Sequence, residues 1–243
     1  MNFYKHTDVG VVRAENQDRA DYFEKGNVAL AILCDGMGGH YGGSIASSIT
    51  IDVFKNHFEN QPPKESENLY NWFERGLRAA RERMIIEAGN SVEKIDMGTT
   101  VVAALFFINS RKIFIFNVGD SRAYVYNGLL HQVSIDHNLM NYYIRNEKMK
   151  PEEAAKILSA TALTSALGPQ KKTNLEVFEI NEDSKVKALI LTSDGVHDYI
   201  QKPMFEQVIA SNSSLEVKSK ELIKKAILGK STDNLTVLIV EVK

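Results

Sequence analysis

The chain has 243 residues, of which 44% are hydrophobic and 25% are charged, a composition typical of an ordinary globular protein. Lys plus Arg number 29 and Asp plus Glu 31, so the net charge of −2 gives no field that would attract nucleic acid or an anionic membrane surface. No stretch is apolar enough to span a bilayer, the start lacks a secretory signal pattern, and Cys34 has no second cysteine for a disulfide. We therefore expect a cytoplasmic protein that binds neither nucleic acid nor membranes.

The first third of the chain predicts one buried strand and a pair of helices. The apolar run from Val28 to Leu33 indicates the strand, with Cys34 as a packed strand residue. Apolar residues recur at helical spacing from Ile45 to Phe58 and again from Leu69 to Ile85. The proline-containing segment between these helices is short enough for an interhelical loop, so we expect the helices to pack against each other.

From Thr99 onward the pattern changes to β-branched and aromatic runs, which predict strands with no helix between them. The Asn127-Gly128 pair is a strong signal for a two-residue hairpin, and Asn109-Ser110 is a second candidate turn. These strands are therefore expected to be antiparallel. They are predicted at Thr99–Ile108, Lys112–Val118, Arg122–Tyr126 and Leu129–Val133.

The second half of the chain mixes helices and strands. A polar, mostly helical segment is predicted from Asn138 to about Leu158, with later helices at Pro203–Ala210 and Leu215–Leu228. Because runs of strands stand beside paired helices, antiparallel sheets covered by helices are favoured over strict βαβ alternation. Further strands are predicted at Leu175–Ile180, Lys187–Thr192 and Leu235–Val242.

Short acidic motifs follow the predicted strands, and their placement is the main functional signal. For any single Asp-Gly pair, a solvated turn is a commoner explanation than a metal site. Five motifs shift that balance, because carboxylates that converge at a sheet edge repel each other and need hard cations, with oxygen ligands favouring Mg²⁺ or Mn²⁺. The motifs are Asn16-Gln17-Asp18, Asp35-Gly36-Met37-Gly38-Gly39-His40, Gly119-Asp120-Ser121-Arg122, Ser193-Asp194-Gly195 and Asp233-Asn234.

Further short motifs accompany these five. They are Thr7-Asp8-Val9-Gly10, Arg13, Gly98-Thr99-Thr100, Asp136-His137-Asn138, Ala166-Leu167-Gly168 and Thr236. In this order and spacing, the set resembles the metal-dependent protein phosphatases of type 2C in their compact bacterial form, over nearly the whole chain. The resemblance implies an α+β fold, a four-layer αββα sandwich of two antiparallel sheets flanked by helix pairs. It also implies a single domain over residues 1–243, with a flap at about residues 138–165.

The resemblance implies a role for each of the main acidic residues. Asp35 bridges two cations, and Gly36 offers its carbonyl oxygen to one of them. Asp194 and Asp233 complete the other cation's ligands, and a metal-bound water is the nucleophile that attacks phosphorus. Asp18 belongs to the same cluster, reaching the cations directly or through their waters.

A third cation site is implied by Asp120 together with Asp194 and Asp198, so that two or three Mn²⁺ or Mg²⁺ ions are expected. A simpler alternative for Asp198, four residues after Asp194, is to cap or solvate a helical turn. Gln17 stands where some relatives carry glutamate, which removes one negative charge from the cluster.

Two residues are candidates for contact with substrate. Arg13 matches the phosphate-binding arginine of the family, a role that suits a planar fork of donors. Eukaryotic relatives place a leaving-group histidine directly after the metal-binding Asp-Gly, where this chain has Met37. His40 is then the candidate for that acid or for substrate binding, and an incidental loop histidine is the competing interpretation.

The implied function is the hydrolysis of phosphoserine and phosphothreonine in proteins by a metal-activated water, reversing a Ser/Thr kinase. The expected partners are phosphorylated protein substrates and a cognate Ser/Thr kinase, and we expect a monomer. The flap carries Tyr142 and Arg145, a mixed aromatic and polar surface that suits peptide contact, with a solvated helix as the alternative.

Three alternatives compete with this function. The glycines of Asp35–Gly42 imitate a dinucleotide-binding loop, but their spacing is wrong by one residue. An aspartyl-phosphate hydrolase requires a second acid where Met37 stands. A catalytically silent phosphatase fold acting as a sensor or binding module is disfavoured, because Asp35, Asp194 and Asp233 are all present.

Overall fold

The computed structural model describes residues 1–242, apart from the side chains of residues 39–41. Its strands are β1 (Asn2–Asp8), β2 (Arg19–Lys25), β3 (Val28–Cys34), β4 (Gly36–Met37), β5 (Gly98–Thr99), β6 (Val101–Phe107), β7 (Lys112–Val118), β8 (Arg122–Tyr126), β9 (Leu130–Gln132), β10 (Glu176–Ile180), β11 (Ala188–Thr192) and β12 (Leu235–Glu241). Its helices are α1 (Gly39–Asn60), α2 (Leu69–Ala88), α3 (Val92–Ile95), α4 (Leu139–Asn146), α5 (Pro151–Ala154), α6 (Asp194–His197), α7 (Lys202–Ala210) and α8 (Leu215–Leu228). Within the described residues, no helix combines the length and apolar character needed to cross a membrane.

The first sheet has the strand order β10-β7-β6-β3-β2, and each neighbouring pair is antiparallel. Its central strands β3 and β6 are buried along their whole length. Successive side chains of a strand point to opposite faces, so each strand serves two cores. Leu30 and Ile32 pack with α1 and α2, whereas Ala29, Ala31 and Leu33 pack against the second sheet.

The second sheet has the order β1-β12-β11-β8-β9 and is also antiparallel. Along β12, Leu238 and Val240 face the first sheet, whereas Val237 and Ile239 face the core formed with α7 and α8. Each sheet therefore has the other sheet on one side and helices on the other. The predicted α+β sandwich of four layers is confirmed.

The local patterns predicted many element boundaries correctly. The bounds of β7, β8 and α8 agree residue for residue with the predicted ones. The strand predicted at Thr99–Ile108 is interrupted at Thr100, because the Thr100 N–H donates to the Asp35 carbonyl oxygen instead of to a ladder partner. The edge strand β1 was missed, because both of its faces are partly exposed and its sequence lacks a continuous apolar face.

The segment after Asn138 is less helical than predicted. α4 ends at Asn146, and Lys148 has a positive φ of 56° that an α-helix does not accept. A second short helix, α5, then begins with Pro151 at its first position, and the residue before a proline is disfavoured in the helical region. The prediction of one mostly helical stretch to about Leu158 is therefore wrong beyond α4 and α5, where turns follow.

The chain crosses between the two sheets at Gly119, since β7 lies in the first sheet and β8 in the second. Gly119 has a φ of +110°, a value that residues with a side chain rarely adopt. A Cβ at this position would also lie 2.6 Å from Thr100 Cγ2. This crossing places Asp120 at the edge of the sandwich, between the two sheets.

Candidate metal centre

The strand ends meet at one edge of the sandwich around a cavity of about 580 Å³. Most of the predicted site residues line this cavity, and Glu15 together with several uncharged residues completes the wall. The predicted residues in the lining are Arg13, Asp35, Gly36, Asp120, Asp194 and Asp233, and among the other lining residues are Gln17, Met37, Thr100, Leu163 and Asn234.

Asp35 stands between β3 and β4, and its backbone is held from both sides. Its N–H donates to Thr100 Oγ1 at 3.0 Å. Its carbonyl oxygen accepts from the Thr100 N–H at 2.8 Å and from the Thr99 hydroxyl at 2.9 Å. Because the backbone is fixed on both sides, the carboxylate is held at the cavity that it lines.

Asp194 begins α6, directly after the buried N-cap Ser193. The Ser193 hydroxyl donates to Asp18 Oδ2 at 2.7 Å and accepts from the Thr236 N–H at 3.0 Å. Asp18 is itself only 1% exposed. Asp18 therefore lies beneath the cavity as the support of the Asp194 turn, close enough to act on the lining carboxylates.

Asp233 lies on the loop before β12, and Asn234 ties that loop to the start of the chain. The Asn234 amide group donates to the carbonyl oxygens of Val9 and Glu15, both at 2.9 Å. Its side-chain oxygen accepts from the Gln17 N–H at 2.8 Å. Through these contacts, residues from the two ends of the chain form one wall of the cavity.

Burial and mutual repulsion disfavour the ionised form of the aspartates in this centre. Burial raises the pKa of Asp35 well above its usual range, and the charges of Asp18, Asp194 and Asp120 act in the same direction. Burial also raises the pKa of Asp18 and of Asp120 to about 7, and that of Asp194 to about 6. Clustered carboxylates that resist ionisation are stabilised by a multivalent cation, which neutralises several of them at once.

The donor chemistry fits hard divalent cations, since carboxylates and a backbone carbonyl are the ligands that Mg²⁺ and Mn²⁺ prefer. In the present side-chain positions, no three His, Cys, Asp or Glu residues of the described chain form a group that could hold an ion. Without a cation, repulsion between the carboxylates keeps these side chains too far apart to form such a group. Ion binding would therefore require side-chain movement within the cavity, not a different set of ligands.

The guanidinium of Arg13 is the positively charged partner of Asp233 in this cavity. Its Nη2 donates to Asp233 Oδ2 at 2.6 Å, and this hydrogen bond raises the pKa of Arg13. The Arg13 side chain is 54% exposed, so that it can also reach a ligand in solution. A phosphate and Asp233 would therefore compete for the same guanidinium group.

Among the predicted residues whose side chains the structure describes, Asp18 and Asp198 are not part of the cavity lining. Asp198 is 49% exposed on its side chain, and its Oδ1 lies 3.5 Å from the guanidinium of Arg122. Arg122 in turn binds Asp136 with both its Nε and Nη2. His40 belongs to α1, but its side chain lies outside the described residues. The assignments of Asp198 as a ligand and of His40 as an acid stay predictions.

Sequence reasoning assigned no role to Thr100, Ser193 or Asn234, the residues that fix Asp35, Asp194 and Asp233. Each is a small polar residue next to or within an acidic motif, and that proximity is the one local signal that could have identified them. Their partners lie far away in sequence, as in the Ser193 contact to Asp18, and local patterns do not contain this information.

The comparisons with known proteins agree with this geometry. The family model for protein phosphatase 2C matches residues 7–226. The chain is 31% identical to the serine/threonine phosphatase stp of Listeria welshimeri, over 97% of this chain and 93% of that protein.

Solved structures give the same result. The serine/threonine phosphatase Stp1 from Staphylococcus aureus has a TM-score of 0.87 and 30% identity, covering 99% of this chain and 94% of that one. The catalytic domain of the phosphatase PstP in complex with 2 manganese ions has a TM-score of 0.79 and 26% identity, covering 99% and 97% of the two chains. The chain therefore belongs to the protein phosphatase 2C family, and the family and enzyme class that its motifs predicted are confirmed.

Proposed function

We propose that this protein phosphatase hydrolyses the phosphate monoesters of phosphoserine and phosphothreonine in proteins, with divalent cations held by its clustered aspartates. One observation supports the proposal above all others. Asp35, Asp120, Asp194 and Asp233, which lie on four separate segments of the chain, line one cavity together with the guanidinium of Arg13.

The roles within the cavity follow from its donors. Asp35 and the Gly36 carbonyl oxygen would hold one Mn²⁺ or Mg²⁺ ion, and Asp35 with Asp194 and Asp233 would hold a second. Asp120 is placed to contribute to a third. When bound, the cations supply an activated water and neutralise charge on the phosphate oxygens.

Side chains of the protein bind the phosphate, hold the Asp194 turn in place and protonate the leaving group. Arg13 binds the non-bridging oxygens of the phosphate and orients phosphorus towards the water. Asp18 and Ser193 keep the Asp194 turn in place through their 2.7 Å hydrogen bond. His40 is the candidate for protonating the leaving serine or threonine oxygen.

The substrates are phosphorylated proteins. A cognate Ser/Thr kinase, a monomeric state, a cytoplasmic location and a single domain that includes the flap stay predictions. On the flap, Tyr142 is 45% exposed and packs edge-on against Tyr143, which leaves it accessible to a peptide. Arg145 is bound to Glu176 at 2.6 Å, so its contact in this structure is with the fold.

Steady-state hydrolysis of a phosphothreonine peptide and of a small aryl phosphate tests the proposal. We expect turnover of both with Mn²⁺ and none after exhaustive treatment with a chelator. Asp35→Asn should abolish turnover, whereas Asp183→Asn, which removes an exposed carboxylate elsewhere, should not. Full turnover without metal would refute the proposal. Mn²⁺ binding without any turnover would instead support the catalytically silent fold.

A further inference from the structure

His137 lies directly behind the loop that carries Asp120, and its side chain is only 5% exposed. The Gly119 N–H donates to His137 Nδ1 at 3.2 Å, and the His137 N–H donates to the Gly119 carbonyl oxygen at 2.9 Å. His137 therefore forms hydrogen bonds with both backbone polar groups of Gly119, an arrangement that we call the His137 clasp. Because Gly119 immediately precedes Asp120, these two hydrogen bonds help to fix the direction of the Asp120 carboxylate.

The second ring nitrogen of His137 faces Glu176. Since Nδ1 accepts a hydrogen bond, the proton of the neutral ring is assigned to Nε2. His137 Nε2 lies 3.2 Å from Glu176 Oε2. Both atoms are buried, and neither makes an aligned hydrogen bond to any group in the described part of the chain. Unpaired buried polar atoms are costly, so each of these two atoms compensates the other.

Glu176 in turn binds the flap. Its Oε1 accepts from Arg145 on α4 at 2.6 Å, and the Glu176 side chain is 18% exposed. Glu176 pairs in the sheet with Asn117, whose side-chain amide donates to the Gly119 carbonyl oxygen at 3.1 Å. A polar cavity of about 280 Å³ is lined by His137, Arg145 and Glu176, which gives these side chains room to rearrange.

We propose that His137 and Glu176 are positioning residues, which hold the Asp120 loop and connect it to Arg145 on the flap helix α4. Movement of the flap then changes the placement of Asp120 through this chain of contacts. The inference rests on the proposed function only in giving Asp120 a part in the phosphate chemistry.

Hydrogen exchange of the metal-free chain tests the connection without relying on activity. Glu176→Gln keeps the size of the side chain but removes its charge, and we expect the amides of residues 119–121 to exchange at least about tenfold faster. Glu179→Gln is the matched control, because it changes an exposed glutamate on the same strand β10. Unchanged exchange at residues 119–121 in Glu176→Gln would overturn the proposal.

Kinetics on the aryl phosphate provide the second readout. Glu176→Gln and His137→Asn should each lower kcat by about 10- to 100-fold, the usual effect of losing a group that orients a ligand. KM should stay within about twofold, because Arg13 is untouched. The double variant should lose no more than the worse single variant, since the two residues act in series. Additive losses, or a kcat equal to that of Glu179→Gln, would contradict the connection.

Misfolding of a variant and failure of the proposed function can each be distinguished from failure of this inference. If Glu176→Gln does not fold, Arg145→Ala decides, because that side chain is 48% exposed and its loss is tolerated more easily. Arg145→Ala must then speed exchange at residues 119–121, and Arg145→Lys must partly restore it. If the unmodified chain hydrolyses neither substrate, the proposed function fails, whereas the exchange measurement still tests the contacts of His137 and Glu176.

Discussion

Replacing Arg13 with alanine should have opposite effects on cation binding and on substrate binding. In the structure, Arg13 Nη2 lies 2.6 Å from Asp233 Oδ2, and the two side chains are 54% and 34% exposed. An ion pair this exposed contributes about 0.2 to 1 kcal/mol. A cation that binds Asp233 must first displace Arg13 from it. Because a tenfold change in affinity corresponds to about 1.4 kcal/mol, Arg13→Ala should tighten Mn²⁺ binding by about 1.4- to 5-fold.

Substrate binding should change in the other direction. A hydrogen bond between a charged group and phosphate contributes about 1.5 to 3 kcal/mol when well made, and half exposure favours the lower value. The KM for an aryl phosphate should therefore rise about tenfold at saturating Mn²⁺, with a smaller effect on kcat.

Isothermal titration of the metal-stripped protein with Mn²⁺ measures the first effect, and steady-state kinetics measure the second. Arg78→Ala is the control, because Arg78 forms a comparable exposed ion pair with Glu74 within α2. Weaker Mn²⁺ binding by Arg13→Ala, or an unchanged KM, would refute the reasoning that cation and phosphate compete with this ion pair.

Three further predictions concern the metal centre and the flap. Asp35→Asn and Asp194→Asn should each lower kcat by at least about a thousandfold while the circular dichroism spectrum stays native, and a near-normal rate would remove that residue from the centre. Gly195→Ala should weaken Mn²⁺ binding at least about tenfold in titration, because the added Cβ would collide with the Asn234 carbonyl oxygen and displace the loop of Asp233. Tyr142→Ala should lower kcat/KM for a phosphoprotein at least about tenfold more than for an aryl phosphate, and equal losses would exclude a docking role.

Much of the site could be predicted because its parts are local. The Asp35-Gly36 and Ser193-Asp194-Gly195 motifs each follow a strand whose sequence is apolar and β-branched, so both the strand and the carboxylate after it are encoded within a few residues. Asp18 lies close to the other aspartates in the structure, but its place beneath the cavity was not predictable. The hydroxyl of Ser193 that holds Asp18 lies 175 residues away in sequence.

Local patterns also determined the elements themselves. The β-branched and aromatic runs of β7 and β8 and the helical spacing of Leu215–Leu228 were sufficient to place these elements, because each depends on the conformational preferences of neighbouring residues. The predicted two-residue hairpin at Asn127-Gly128 is wrong in length, since Tyr126 pairs with Leu130 and the loop has three residues. The assignment of β7 and β8 to different sheets was decided only by tertiary structure.

Contacts between residues far apart in sequence were likewise decided only by tertiary structure. β1 pairs with β12 across the whole length of the chain, and Arg13 meets Asp233 over a separation of 220 residues. The His137 clasp on Gly119 likewise appears only when β7 and the segment after β9 are folded together. The sequence by itself determined most of the strands and helices and the acidic groups that follow them. Which of these groups share a cavity was decided by burial of the apolar faces of both sheets, a non-local effect that no short window of sequence contains.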